Sequence, residues 1–132
     1  MKKIGISQKI IIFNDKGKFL TLHRTETAPS NPCKWDFPGG ELGFGEDAIT
    51  GIIREAEEEA GLKIKDLKPF DVESHITEDG FFWLTIAYKA KTNSDKIVLS
   101  YEHDEFRWVD SEEFLKLDSP EKLKRFVKNL KK

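Results

Sequence analysis

Cysteine is nearly missing from this chain. Cys33 is the single thiol among 132 residues, so no internal disulfide framework can form. That suits a reducing compartment, and a cytoplasmic location is expected. A lone cysteine acting as nucleophile would also need a histidine beside it, which no local spacing supplies. Long apolar runs are missing too. No segment approaches the roughly 20 apolar residues that span a bilayer. The apolar stretch in "MKKIGISQKIIIF" is too short for a secretion signal, and no small-residue cleavage site follows it. Neither sign of charge dominates: 22 Lys and Arg face 24 Asp and Glu, a formal net charge of −2. This balance gives no chain-wide surface for nucleic acid, and neither a stable nucleic-acid partner nor a membrane is expected. The local basic cluster of Lys122, Lys124, Arg125, Lys128, Lys131 and Lys132 reads as a solvated helix face. Repeats, low-complexity tracts and linkers are absent, so residues 1–132 are expected to form a single domain.

What is present is a set of short periodic segments. Lys9 to Phe13 is a β-branched, apolar run read as a buried strand. Asn14 to Gly17 is a turn, and Lys18 to His23 completes a hairpin. Thr27 to Lys34 holds two prolines and reads as a loop, followed by a short extended piece, "WDF". Asp47 to Ala60 has helical periodicity, with Ile49, Ile52, Ile53, Ala56 and Ala60 on one face and Gly61 as the terminating glycine. Strands are expected near Phe70 to Ile76, Phe81 to Ala90 and Phe106 to Val109, with Glu78 to Gly80 as a turn. Asp110 with Glu113 resembles a capping box, and Ser119-Pro120 reads as N-cap and N1 of a last helix. Strands around one internal helix, closed by further helices, indicate an α/β class of the α+β type.

The internal helix is crowded with acid. On a wheel centred on Ile49, Glu55, Glu58 and Glu59 fall near roughly 240°, 180° and 280°, one arc away from the apolar face. Glu57 falls on the other flank, near roughly 80°. Like charges at these spacings destabilise a helix by about 0.2–0.5 kcal/mol per pair. A hard divalent cation would reverse that cost, and magnesium takes oxygen ligands together with substrate phosphates. An EF-hand is excluded, because its ligands lie on a loop and not along helical turns.

The letters Gly40, Glu46, Arg54, Glu55, Ala56, Glu58, Glu59, Gly61 and Leu62 reproduce the spacing of the Nudix box, and the chain resembles the Nudix hydrolase family on that basis. Ala56 is the soft departure, where a bulkier aliphatic is usual. The resemblance implies a mixed sheet packed between helices, an α/β/α sandwich. It implies hydrolysis of a diphosphate linkage in a nucleoside diphosphate derivative, with Mg²⁺ as cofactor and Mn²⁺ as a possible substitute. Glu55, Glu58 and Glu59 would hold the metal, with the Gly40 carbonyl in its shell and one glutamate serving as base. Arg54, also in the catalytic set, and Glu46 would order the helix carboxylates. The family often adds an acid from outside the box, and Glu102 best resembles that position as a metal ligand or base. The bland alternative for Glu102 is an exposed acidic loop. His103 is a neighbour, since magnesium prefers oxygen.

The resemblance implies a small nucleotide as substrate. Arg24, Asn31, Trp35 and Trp83 are the candidate contacts: a cation for phosphate, an amide for a base edge, rings for stacking. For Trp35 and Phe37 the competing reading is core. Along Phe81 to Tyr88 one alternating set must face the core and the other can line a groove, and sequence leaves the choice open. "WDFPGGELGFGE" most resembles the small branch acting on nucleoside triphosphates, including oxidised ones. ADP-ribose or dinucleoside polyphosphates are the alternatives, and an inactive nucleotide-binding module is the alternative of another class. A homodimer is compatible with all of these.

Overall fold

The computed structural model describes residues 2–130; Met1, Lys131 and Lys132, the last two part of the basic cluster, lie outside the described residues. The apolar run at Ile10, Ile11 and Ile12 is buried on both sides because it sits at the centre of a sheet. Its strand, β1 (Lys3–Phe13), is six residues longer than the expected Lys9–Phe13 segment. The extension is explained by its partner: β1 pairs in parallel along its whole length with β6 (Phe81–Lys91). β6 pairs antiparallel with the outer strand β5 (Lys65–Ile76).

On its other edge β1 behaves differently. The hairpin to β2 (Phe19–Arg24) pairs only at Phe13 and Phe19, beside the turn. Beyond that point the two strands part. Residues 35–41 fill the wedge: β3 (Trp35–Asp36) pairs with β2, and β4 (Gly39–Glu41) pairs with β1. Between them Ile10 N–H donates to the Pro38 carbonyl at 2.9 Å. The far edge of β2 carries β7 (His103–Val109).

The alternation of side chains then divides the core in two. Ile10, Ile12, Leu20, Leu22, Tyr88 and Ala90 face α1 (Ala48–Ala60). Ile11, Phe19, Phe37, Ala87 and Val109 face α2 (Ser111–Leu115) and α3 (Glu121–Asn129). The result is the expected sandwich of helix, mixed sheet and helix. Among the described residues no helix is long and apolar enough to cross a membrane.

Two caps follow the sequence: Gly61 closes α1 in the left-handed conformation, and Asp110 with Glu113 forms the capping box of α2. Asp47, read as the first residue of the helix, is instead its N-cap, and its side chain accepts from Thr50 N–H. The last helix departs by one residue. Pro120, not Ser119, is its N-cap, and the Ser119 hydroxyl is buried without a partner. The larger departure concerns α1. Its buried residues are Gly51, Ile52, Ala56, Glu59 and Ala60, while Ile49 and Ile53 are largely exposed. The contact face is thus turned by roughly 60° from the one the isoleucines indicate. Small residues at 51, 56 and 60 let the helix lie close to the sheet there, and that closeness outweighs the two isoleucines.

Candidate active site

A cleft of about 580 Å³ opens along the wedge between β1 and β2. One wall comes from the start of β4 and from α1. Gly39 runs so close to β1 that a Cβ there would stand 1.9 Å from the Gln8 carbonyl oxygen, so only glycine fits. That approach lets Gly39 N–H donate to Glu59 Oε1 at 3.0 Å. Glu59 is only 6% exposed. Burial pushes its carboxyl up to about 8; Lys9 and the Gly39 N–H oppose this, and the charges of Glu55 and Glu102 add to it. Glu55 lies against Gly40 and is also pushed up, first by burial, against the pull of Arg54 and with the charges of Glu58 and Glu102. Glu102 lines the cleft from the opposite side, its carbonyl fastened by Thr25 N–H at 3.2 Å. Glu55, Glu59 and Glu102 therefore share one electrostatic field.

Glu58 does not join them. Its side chain is 57% exposed and held by Arg54 at 3.1 Å. Arg54 also reaches Glu55 at 3.1 Å and Glu46 at 2.7 Å, so the guanidinium clamps three carboxylates and does not line the cleft. The expected single arc of three glutamates is thus divided: Glu59 inside, Glu55 at the boundary, Glu58 in solvent. The rotation of α1 is the reason. Among the described residues no three carboxylates form a ready-made cation cage. The donor chemistry still fits a hard divalent ion. The set is all oxygen, and a buried carboxylate beside two like charges is what a cation would relieve.

The floor of the cleft is cationic, and sequence reasoning missed most of it. Lys9 Nζ lies 2.9 Å from both oxygens of Asp36. Burial alone would raise the Asp36 carboxyl, but Lys9, the Phe37 N–H and Arg24 together hold it below the usual range. Arg24 donates through Nε to the Ser30 carbonyl at 2.8 Å and reaches Asp36 at 3.5 Å. Lys122 was grouped with the solvated basic face. Instead it lines the cleft, donates to Thr85 Oγ1 at 3.3 Å, and has its ammonium pulled down, mainly by burial and by Lys9. A signal for Lys9 did exist: a lysine one residue before a buried run must find an anion. Lys122 carried none, because helical periodicity does not reveal which turn meets a cleft.

Of the other candidates, Gly40, Asn31 and Trp83 line the cleft. Trp83 stacks on Phe81 with centroids 4.7 Å apart, over Gly5, whose missing side chain leaves room for both rings. This resolves the alternation in β6: the set with Trp83 and Thr85 faces the cleft side, and the set with Leu84 and Tyr88 faces α1. Trp35 is a correction. It is 6% exposed in the second core, with the Arg107 guanidinium 4.6 Å over its ring, so no face remains for a base. His103 is buried, pushed down to about 4 chiefly by burial, and neither ring nitrogen has a partner.

The model of the NUDIX domain family matches residues 4–130. The chain belongs to the Nudix family. Over 90 residues, 64% of this chain and 67% of the relative, it is 31% identical to the 8-oxo-dGTP diphosphatase of Escherichia coli. The solved MutT protein of Methanosarcina mazei superposes with a TM-score of 0.83 at 31% identity, covering 96% of this chain and 92% of that one. An Ap4A hydrolase of C. elegans shares the fold, with a TM-score of 0.77 at 24% identity, 96% of this chain and 95% of that one. The protein is a Nudix-type pyrophosphohydrolase, most similar to the nucleoside-triphosphate branch, and Nudix hydrolases use divalent metal ions.

Proposed function

We propose that this Nudix hydrolase cleaves a nucleoside triphosphate, ordinary or oxidised, to the monophosphate and diphosphate, with Mg²⁺ as cofactor. The observation that carries the proposal is the polarity of the cleft. Carboxylates gather at Glu59 and Glu102 with Glu55 at the boundary, cations at Lys9, Arg24 and Lys122, and an aromatic surface at Trp83. A triphosphate ester needs all three. The relative named an 8-oxo-dGTP diphosphatase supports the oxidised variant of the substrate.

The chemistry follows from charge. Water must reach a phosphorus already surrounded by negative oxygen, and the P–O bond bridging the monophosphate and diphosphate parts must break, its electron pair leaving on the part that water does not attack. Glu55, Glu59 and Glu102, with the Gly40 carbonyl, would hold the metal; Glu58 could join on release from Arg54. A metal held there would acidify a water and offset charge on the phosphoryl oxygens. One cleft glutamate accepts the proton from the attacking water. Arg24 and Lys122 face the phosphate chain, and Asp36 keeps Lys9 ordered beside Glu59. Trp83 offers its ring to the base.

A nucleotide panel with separated products tests this. Release of diphosphate from a triphosphate, with Mg²⁺ required and Mn²⁺ able to replace it, is expected. Preferred turnover of ADP-ribose or a dinucleoside polyphosphate would overturn the substrate while leaving the bond chemistry in place.

A further inference from the structure

Helix α1 covers only half of its face of the sheet. Under it lie Ile10, Ile12, Tyr88 and Ala90. Toward the other end of β1 the same face continues uncovered. Ile4 is paired with Phe82, and Phe82 with Ile76. One step nearer the helix stand Ile6 and Leu84, then Val72 beside Ile86. Period-two alternation points all of these the same way as Ile10. Ile4 is 66% exposed and Ile76 67%. The rotation of α1 adds Ile49 and Ile53 at the border. A sheet face turned to water is ordinarily polar, whereas this one carries Ile4, Ile6, Val72, Ile76, Phe82 and Leu84 across three strands, with Ser74 among them.

A second feature lies alongside. Phe44 stands between two glycines in the loop from β4 to α1, its ring fully in solvent. That loop borders the strip on the β1 side. Leu42 N–H donates to the Ile6 carbonyl at 2.7 Å, and the Ala48 carbonyl accepts from Gln8, which lies on the strip's own face. One side of the molecule thus carries both an apolar projection and an apolar surface to receive one. A two-fold axis satisfies both at once, because each copy presents what the other lacks. Together the exposed parts of Ile4, Ile6, Val72, Ile76, Phe82 and Phe44 approach the roughly 800 Å² that one partner contributes to a standard interface.

We propose that this strip, with Phe44, is the interface of a homodimer. The strip and the projecting Phe44 complement each other, and that match argues for a second copy as occupant over a membrane. The interface uses the face opposite Trp83 and Lys122, so it leaves the cleft open and does not depend on the substrate proposed above.

Sedimentation of the full chain through a micromolar concentration series tests it. The weight-average mass should climb to twice the monomer value. Ile76→Lys and Phe44→Ser should each weaken association by about tenfold or more, since each removes a large exposed apolar side chain from the proposed contact. Circular dichroism should stay unchanged because both residues are exposed, and turnover per chain should hold. Wild-type protein that stays monomeric throughout the series overturns the proposal. So do folded variants that sediment like the wild type. Monomer that floats with neutral lipid vesicles assigns the strip to a membrane surface and overturns it as well.

Discussion

Beneath α1 the sheet is covered by Ile52, Ala56 and Ala60, and this layer also admits the Glu59 carboxylate and a buried Gln8 that donates to Tyr88 at 2.7 Å. Beneath α2 and α3 the cover is made of rings: Phe37 stacks on Phe114 at 4.7 Å, and Phe19 meets both at about 6 Å. The first layer accepts polar groups at a cost to stability. The second has an aromatic centre that backs the segment from Trp35 to Gly39, and beside that centre Trp83, Thr85 and Lys122 turn into the cleft. The buried Glu59 reaches the cleft from the first layer, and the cation Lys122 and the aromatic surface of Trp83 reach it from the second.

The sharpest way to break this contrast is Glu59→Gln. Turnover should fall by about 100-fold or more, the scale of removing a charged group from a reacting centre. Folding should survive, since glutamine can still accept from Gly39. With chelator present, a pH series adds a sign. Folded Glu59 holds its proton up to about 8 against an ordinary 4.5, so its contribution to stability declines as pH rises between those values. In Glu59→Gln that decline should vanish, as chemical denaturation at several pH values will show. A variant with near-normal turnover would remove Glu59 from the site.

On the opposite layer, Phe114→Ala should cost about 3–5 kcal/mol of unfolding free energy. Turnover of the molecules that remain folded should change little. A large loss of kcat in that folded fraction would show that the aromatic centre and the cleft are not separable.

Asp36→Asn probes the joint between them. It leaves Lys9 without its anion in a nearly enclosed place, and about 2–4 kcal/mol of stability should be lost. Turnover should drop too, because Lys9 neighbours Glu59. A stability change without a kinetic one would make the Lys9–Asp36 pair purely structural.

The smallest expected effect is at Asp110→Ala, which removes the cap of α2. About 1 kcal/mol, read from thermal or urea unfolding, is the expected loss.

Much of this protein was legible before folding was considered. The two-sided burial of Ile10 to Ile12, the caps at Gly61 and Asp110, and the glycine–glutamate spacing of the Nudix box all follow from local chemistry. What was misread has one cause. The isoleucines at 49 and 53 suggested a face for α1, and the wheel drawn from them placed Glu59 outside. The sheet selected a different face, for reasons of contact distance that no periodicity contains. Trp35 was misplaced for a related reason, since an aromatic at a site entrance and one in a core look alike in one dimension.

The sequence alone determined the family, the acid-rich helix and the class of reaction, because helix periodicity, caps and box spacing act within a few residues along the chain. Only tertiary structure decided which glutamates face the cleft, that Lys9, Asp36 and Lys122 complete its floor, and that half a sheet face stays bare. Those outcomes depend on how β1 parts from β2 and how closely α1 lies on the sheet, distances set between segments far apart in the chain.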